Sequence, residues 1–143
     1  ADVGYLLTAF GLDPTSLLEA MNANTGFEAD PEARKYAKQH YEPTGNIRGP
    51  VISMHTQVDG LVIPNSQAAL TQLVEDAGRS QNLVQAYTVK TPEFQGHCRF
   101  SADQWVWAVD NLIDWKESGI APDPVFFPDG DSSFEPTAWP QPL

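Results

Sequence analysis

The chain has 143 residues, 41% of them hydrophobic and 10% aromatic, which is the composition of a folded domain rather than of a disordered segment. Eight basic residues against nineteen acidic ones leave a formal charge of −11. That field repels a phosphate backbone, and no basic stripe offsets it, so the balance argues against a nucleic-acid partner. No apolar run approaches the length needed to cross a bilayer, which argues against a membrane partner too. Ala1 to Phe10 lacks the basic region and long apolar stretch of a secretory signal, and reads as an end left by processing or cleavage. With Cys98 as the sole cysteine, any disulfide must reach outside this sequence.

Residues 1–48 read as short helices joined by turns. Asp13 before Pro14 places a capping side chain ahead of proline at the first helical position. Leu17, Leu18 and Met21 then share a face. Asp30 and Pro31 repeat the signal for a second helix to about His40, and Pro43-Thr44-Gly45 ends it.

The character changes at Pro50. Pro50-Val51-Ile52-Ser53-Met54-His55 is mostly apolar without strict alternation, the pattern of a strand covered on both faces. A turn at Val58-Asp59-Gly60 follows. Asn65 is placed to cap a helix over 66–77, with Leu70, Leu73, Val74 and Ala77 on one face and Gly78 as its stop. Leu83 to Val89 reads as a second strand. After the loop 90–99, Ser101 and Gln104 have capping-box spacing and open a helix. Its Trp105, Val109, Leu112 and Ile113 share one side, and Trp105 and Trp107 are read as packing residues. The Pro- and Asp-rich segment 120–143 reads as an extended tail that wraps a surface, with Trp139 as an anchor. Asp129, Asp131 and Glu135 read as solvated surface, although calcium is a conceivable ligand.

A helix between two strands implies a parallel pair, so the fold class is α/β. In such sheets functional side chains collect in loops beyond the carboxyl ends of the strands. Asp59 follows the first strand and His97 follows the second, so 38 positions of separation collapse onto one rim.

Two segments resemble a known family. Pro50 to Pro64, with Asp59-Gly60-Leu61-Val62-Ile63-Pro64 at its end, resembles the strand and acid loop of α/β-hydrolases. Gly96-His97-Cys98-Arg99-Phe100-Ser101 resembles their histidine loop, and the order acid then histidine matches. The likeness covers residues 46–119. It implies the C-terminal part of an α/β-hydrolase fold, organised as a helical connecting segment (1–48), the core with acid and histidine loops (49–119) and the tail (120–143). It implies His97 as general base and Asp59 as the carboxylate that fixes its tautomer. Gly96 lets the chain turn before the histidine. His55 is a residue for packing or substrate contact. His55, Asp59 and His97 could also be imagined as metal ligands, but the resemblance accounts for the same residues and requires no metal or other cofactor.

The nucleophile is missing. None of Ser16, Ser53, Ser66, Ser80, Ser101, Ser118, Ser132 or Ser133 stands in G-x-S-x-G, and no histidine-glycine-rich oxyanion loop is present. The resemblance therefore implies a C-terminal fragment of a serine hydrolase, inactive alone. Its parent would cleave small carboxylic esters. The rivals are a prolyl-oligopeptidase-like peptidase fragment and a non-catalytic interaction domain. In tannase-like and feruloyl esterases a cysteine after the histidine is bridged to one before the serine, and His97-Cys98 is similar to half of that arrangement. Two strands bury little, so the expected partner is the N-terminal portion of the hydrolase or a second copy paired through the open strand edge.

Overall fold

The computed structural model describes residues 8–23 and 28–138, which divide into two compact units at Glu42 and Pro43. Leu18 contributes backbone only, and Trp139 lies outside the described residues. In the first unit, helix α1 spans Pro14–Ala23 and α2 spans Pro31–His40. Both open as their sequences dictate. Asp13 accepts from the Thr15 and Ser16 amides, and Asp30 accepts from the Ala33 amide at 2.8 Å. Each aspartate thereby satisfies donors that the first helical turn leaves free. Neither Leu17 nor Met21 is buried, and α2 has no buried residue.

The second unit is α/β. Strand β1 (Val51–His55) lies parallel to β2 (Leu83–Tyr87), with Val51 opposite Leu83 and His55 opposite Tyr87. Helix α3 (Asn65–Asp76) connects them, and α4 (Ala102–Ser118) follows β2. Side chains alternate across a strand, so the two faces of this sheet belong to different helices. On one face Ile52 and Met54 line a largely apolar cavity with Trp105, Ala108, Val109 and Leu112 of α4. The other face is a polar seam. Ser53 donates to Gln67 Oε1 at 2.7 Å, Thr71 donates to Gln85 Oε1 at 2.8 Å, and Gln85 Nε2 donates to the Gln67 carbonyl at 3.0 Å. Tyr87 completes it by donating its phenol proton to Gln85 Oε1, and burial pushes the phenol pKa up to about 12.

Helix α3 ends in a Schellman pattern. The Arg79 amide reaches the Val74 carbonyl at 2.9 Å, with Gly78 left-handed between them. Gly45 must be glycine for two reasons: its φ is +67°, and a Cβ there would lie 2.0 Å from the Leu73 carbonyl oxygen. Asn65 does not cap α3. The helix starts at Asn65 itself, and the side-chain amide is drawn to the Thr137 carbonyl of the tail at 2.9 Å. A local signal here loses to a tertiary partner.

The tail does more than wrap. Thr88 and Gly130 form an antiparallel bridge, the Val89 amide donates to the Asp129 carbonyl at 2.9 Å, and the Asp131 amide donates to the Tyr87 carbonyl at 2.8 Å. The outer margin of β2 is thereby paired at its C-terminal end, at Tyr87 and the two residues after it. Strand β2 ends at Tyr87 rather than Val89 because its partner β1 ends at His55; beyond Tyr87 the Thr88 amide still reaches the His55 carbonyl at 3.1 Å, and the Val89 amide serves the tail. Phe127 and Phe134 pack edge-on against Trp107 and Tyr87. Among the described residues no strand pairs with the other margin of β1.

Gln104 joins the tail to α4. It is wholly buried, accepts from the Ser101 amide at 2.9 Å within the capping box, and donates to the Pro128 carbonyl at 2.8 Å. Replacing Gln104 with Leu should cost about 3 kcal/mol, because two backbone groups lose their partners inside the protein. A lower urea midpoint at unchanged slope would show it.

The core is small. Val74, Ala86, Tyr87, Trp115 and Phe127 are the buried hydrophobic residues, whereas Trp105, Val109, Leu112 and Ile113 on α4 remain exposed, Trp105 by 51%. The apolar stripe of α4 does share one side, but much of that side faces solvent.

Candidate active site

Both site loops begin where a parallel strand ends. From β1 the chain passes through Thr56-Gln57-Val58 to Asp59. The Asp59 side chain is only 4% exposed, and its Oδ1 accepts from the Leu61 and Val62 amides at 2.8 and 2.9 Å. This is an Asx turn, and it explains why Gly60-Leu61-Val62 must follow closely: successive amides have to fold back onto the carboxylate. The second oxygen is left for a different partner.

That partner is His97. Its Nδ1 lies 2.9 Å from Asp59 Oδ2. The histidine loop turns through Gly96 at φ +114° and Cys98 at φ +54°. A Cβ on Gly96 would meet nothing closer than 3.8 Å, so the backbone angle, and not crowding, is the constraint. The Gly96 amide donates to the Val58 carbonyl at 2.7 Å and the Thr56 hydroxyl donates to the Gly96 carbonyl at 2.9 Å.

The electrostatics set the protonation pattern. Burial, the largest single influence on Asp59, pushes its pKa up. The Val62 amide, the His97 ring and the Leu61 amide outweigh it together and hold the carboxyl below the usual aspartate range. An ionised carboxylate only accepts, so Nδ1 of His97 must be the donor. The neutral imidazole then carries its lone pair on Nε2. The side chain is 45% exposed, and in this tautomer Nε2 accepts from the Cys98 thiol at 3.4 Å, so an attacking hydroxyl takes the thiol's place. The arrangement can take a proton at Nε2 and stabilise the resulting imidazolium through Asp59.

The sequence-predicted pair thus meets at one rim, and His55 does not join it. His55 is 6% exposed, and its Nδ1 bonds the Thr56 carbonyl at 2.7 Å. Among the described residues no group of three or more His, Cys, Asp or Glu side chains is arranged to hold a metal ion. Asp129, Asp131 and Glu135 form no such group. Asp131 instead binds the Gln57 side-chain amide at 2.7 Å and the Ser133 hydroxyl at 2.6 Å. Thr56 and Gln57 are participants that sequence reasoning missed. Their only signal is position, between a strand end and the acid. No helix among the described residues is long and apolar enough to cross a membrane.

No protein-family model, curated protein or solved structure significantly matches this chain.

Proposed function

We propose that this chain supplies the acid–base half of a serine hydrolase of the α/β-hydrolase type, with carboxylic esters as the substrate class. One observation carries the reading: a buried Asp59 bonded at 2.9 Å to Nδ1 of a half-exposed His97, beyond the carboxyl ends of two parallel strands. A serine hydroxyl is a weak nucleophile near neutral pH and needs such a base. Because G-x-S-x-G is absent from the 143 residues, the nucleophile belongs to a segment outside them. The test is a fluorophosphonate probe applied to the native protein that carries this chain. Expected is labelling on a serine outside these residues, lost in His97→Ala. Labelling of a serine within the chain, or none at all, overturns the reading.

The same structure also supports a reading of the partner. The unpaired margin of β1 and the exposed stripe of α4 border the apolar cavity of Ile52 and Met54. Unpaired strand edges and contiguous apolar patches mark association surfaces. We infer that the occupant is the N-terminal part of the hydrolase, which adds a strand beside β1 and brings the nucleophile. In its absence a second copy takes the place. Size-exclusion with light scattering on the isolated chain should show dimers or larger species at micromolar concentration. A monodisperse, well-folded monomer refutes this.

A further inference from the structure

The structure assigns Thr56 as a positioning residue that latches the histidine loop to the acid loop; the consequence for catalysis rests on the acid–base reading of Asp59 and His97, the geometry does not. Thr56 follows the last residue of β1 and is 1% exposed. Its hydroxyl donates to the Gly96 carbonyl at 2.9 Å, and the Gly96 amide donates to the Val58 carbonyl at 2.7 Å. Both backbone groups of Gly96 are therefore held by residues 56–58. Gly96 immediately precedes His97 and Val58 immediately precedes Asp59, so the two backbones are pinned one residue before each side chain of the pair.

The pin matters because the pair itself is a single bond. His97 belongs to a loop with two left-handed residues, and nearly half of its ring is exposed. One imidazole–carboxylate contact does not fix the ring against loop motion. A catalytic base displaced by about 1 Å can lose two orders of magnitude in rate. Thr56 has one hydroxyl proton, and the Gly96 carbonyl receives it. The acid loop is in turn held from the tail side, where Gln57 Nε2 donates to Asp131 Oδ2 at 2.7 Å. The acid loop thus has a tie to the tail, and Thr56 extends that tie to the histidine loop.

Two measurements on the whole chain test this without any turnover. The first is the downfield proton resonance of His97 Nδ1–H bonded to a carboxylate, identified by its loss in Asp59→Asn. The second is hydrogen exchange at the Gly96 amide. Thr56→Val, which keeps shape and removes the hydroxyl, should abolish or broaden the resonance and speed Gly96 exchange by about tenfold or more. Thr56→Ser, which restores the donor, should return both to wild-type behaviour. A Thr56→Val protein that keeps the resonance and the slow exchange overturns the assignment, and so does a Thr56→Ser protein that loses them. If Thr56→Val does not fold, wild-type exchange decides: Gly96 must be slower than Gln95, and equal rates overturn the latch. Absence of ester hydrolysis in the native protein counts against the hydrolase reading alone, because neither measurement depends on it.

Discussion

His97→Ala should lower the ester-hydrolysis kcat of the hydrolase that contains this chain by on the order of 10⁴-fold or more, with KM little changed. The reason is that Nε2 carries the lone pair of the dyad, open to a hydroxyl that takes the place of Cys98 Sγ, and alanine leaves that hydroxyl with no proton acceptor. The ring is nearly half exposed and bonded only to Asp59 and Cys98 Sγ, so its removal should leave the fold intact. Steady-state kinetics alongside thermal unfolding separates the two effects. His55→Ala supplies the contrast: its ring is buried on the Thr56 carbonyl, so stability should fall. A wild-type kcat in His97→Ala ends the hydrolase reading.

Asp59→Asn should cost about 10⁴-fold in kcat, by a different route. The asparagine oxygen can still accept from the Leu61 and Val62 amides, which turns the NH₂ group toward His97. An NH₂ donor facing Nδ1 selects the tautomer with the proton on Nε2, where a base needs its lone pair. The fold survives and the chemistry does not. The same variant has a pH signature. The Asp59 carboxyl is held below its ordinary range in the folded protein, so the stability it contributes is present above the unfolded value and is lost as pH falls through the folded value. Urea midpoints measured on acidification through and below the usual carboxylate range should fall more steeply for wild type than for Asp59→Asn. Parallel slopes would show that Asp59 is not the group whose ionisation the fold favours.

The elements that were legible in the sequence are those with local causes. Asp13-Pro14, Asp30-Pro31 and the Ser101–Gln104 box place helix starts through contacts within four residues, and the structure shows each of them. The α/β class and the rim shared by Asp59 and His97 were also legible, because a helix between two strands leaves few topologies. What escaped depends on distant partners. Asn65 has a cap-like position but bonds Thr137, and Thr56 bonds Gly96 forty positions on. Trp105 and Trp107 read as packing residues: Trp107 meets Phe127 and Trp105 meets Phe100, yet Trp105 stays half exposed. Helical periodicity tells which side chains share a face and says nothing of whether another element covers it. Gln85 and Ser53 sit where an apolar strand face was expected, and they are satisfied only because Gln67 and Thr71 on α3 meet them.

The tail that pairs with β2 has a consequence for stoichiometry. A sheet whose two margins are both free can add neighbours without end and grow into a fibre. Here residues 129–131 block the C-terminal end of the β2 margin, at Tyr87 to Val89, and so hinder strand addition on that side, while the β1 margin stays open. Deleting the segment from Asp129 onward should therefore raise the share of species larger than the dimer, which light scattering reads.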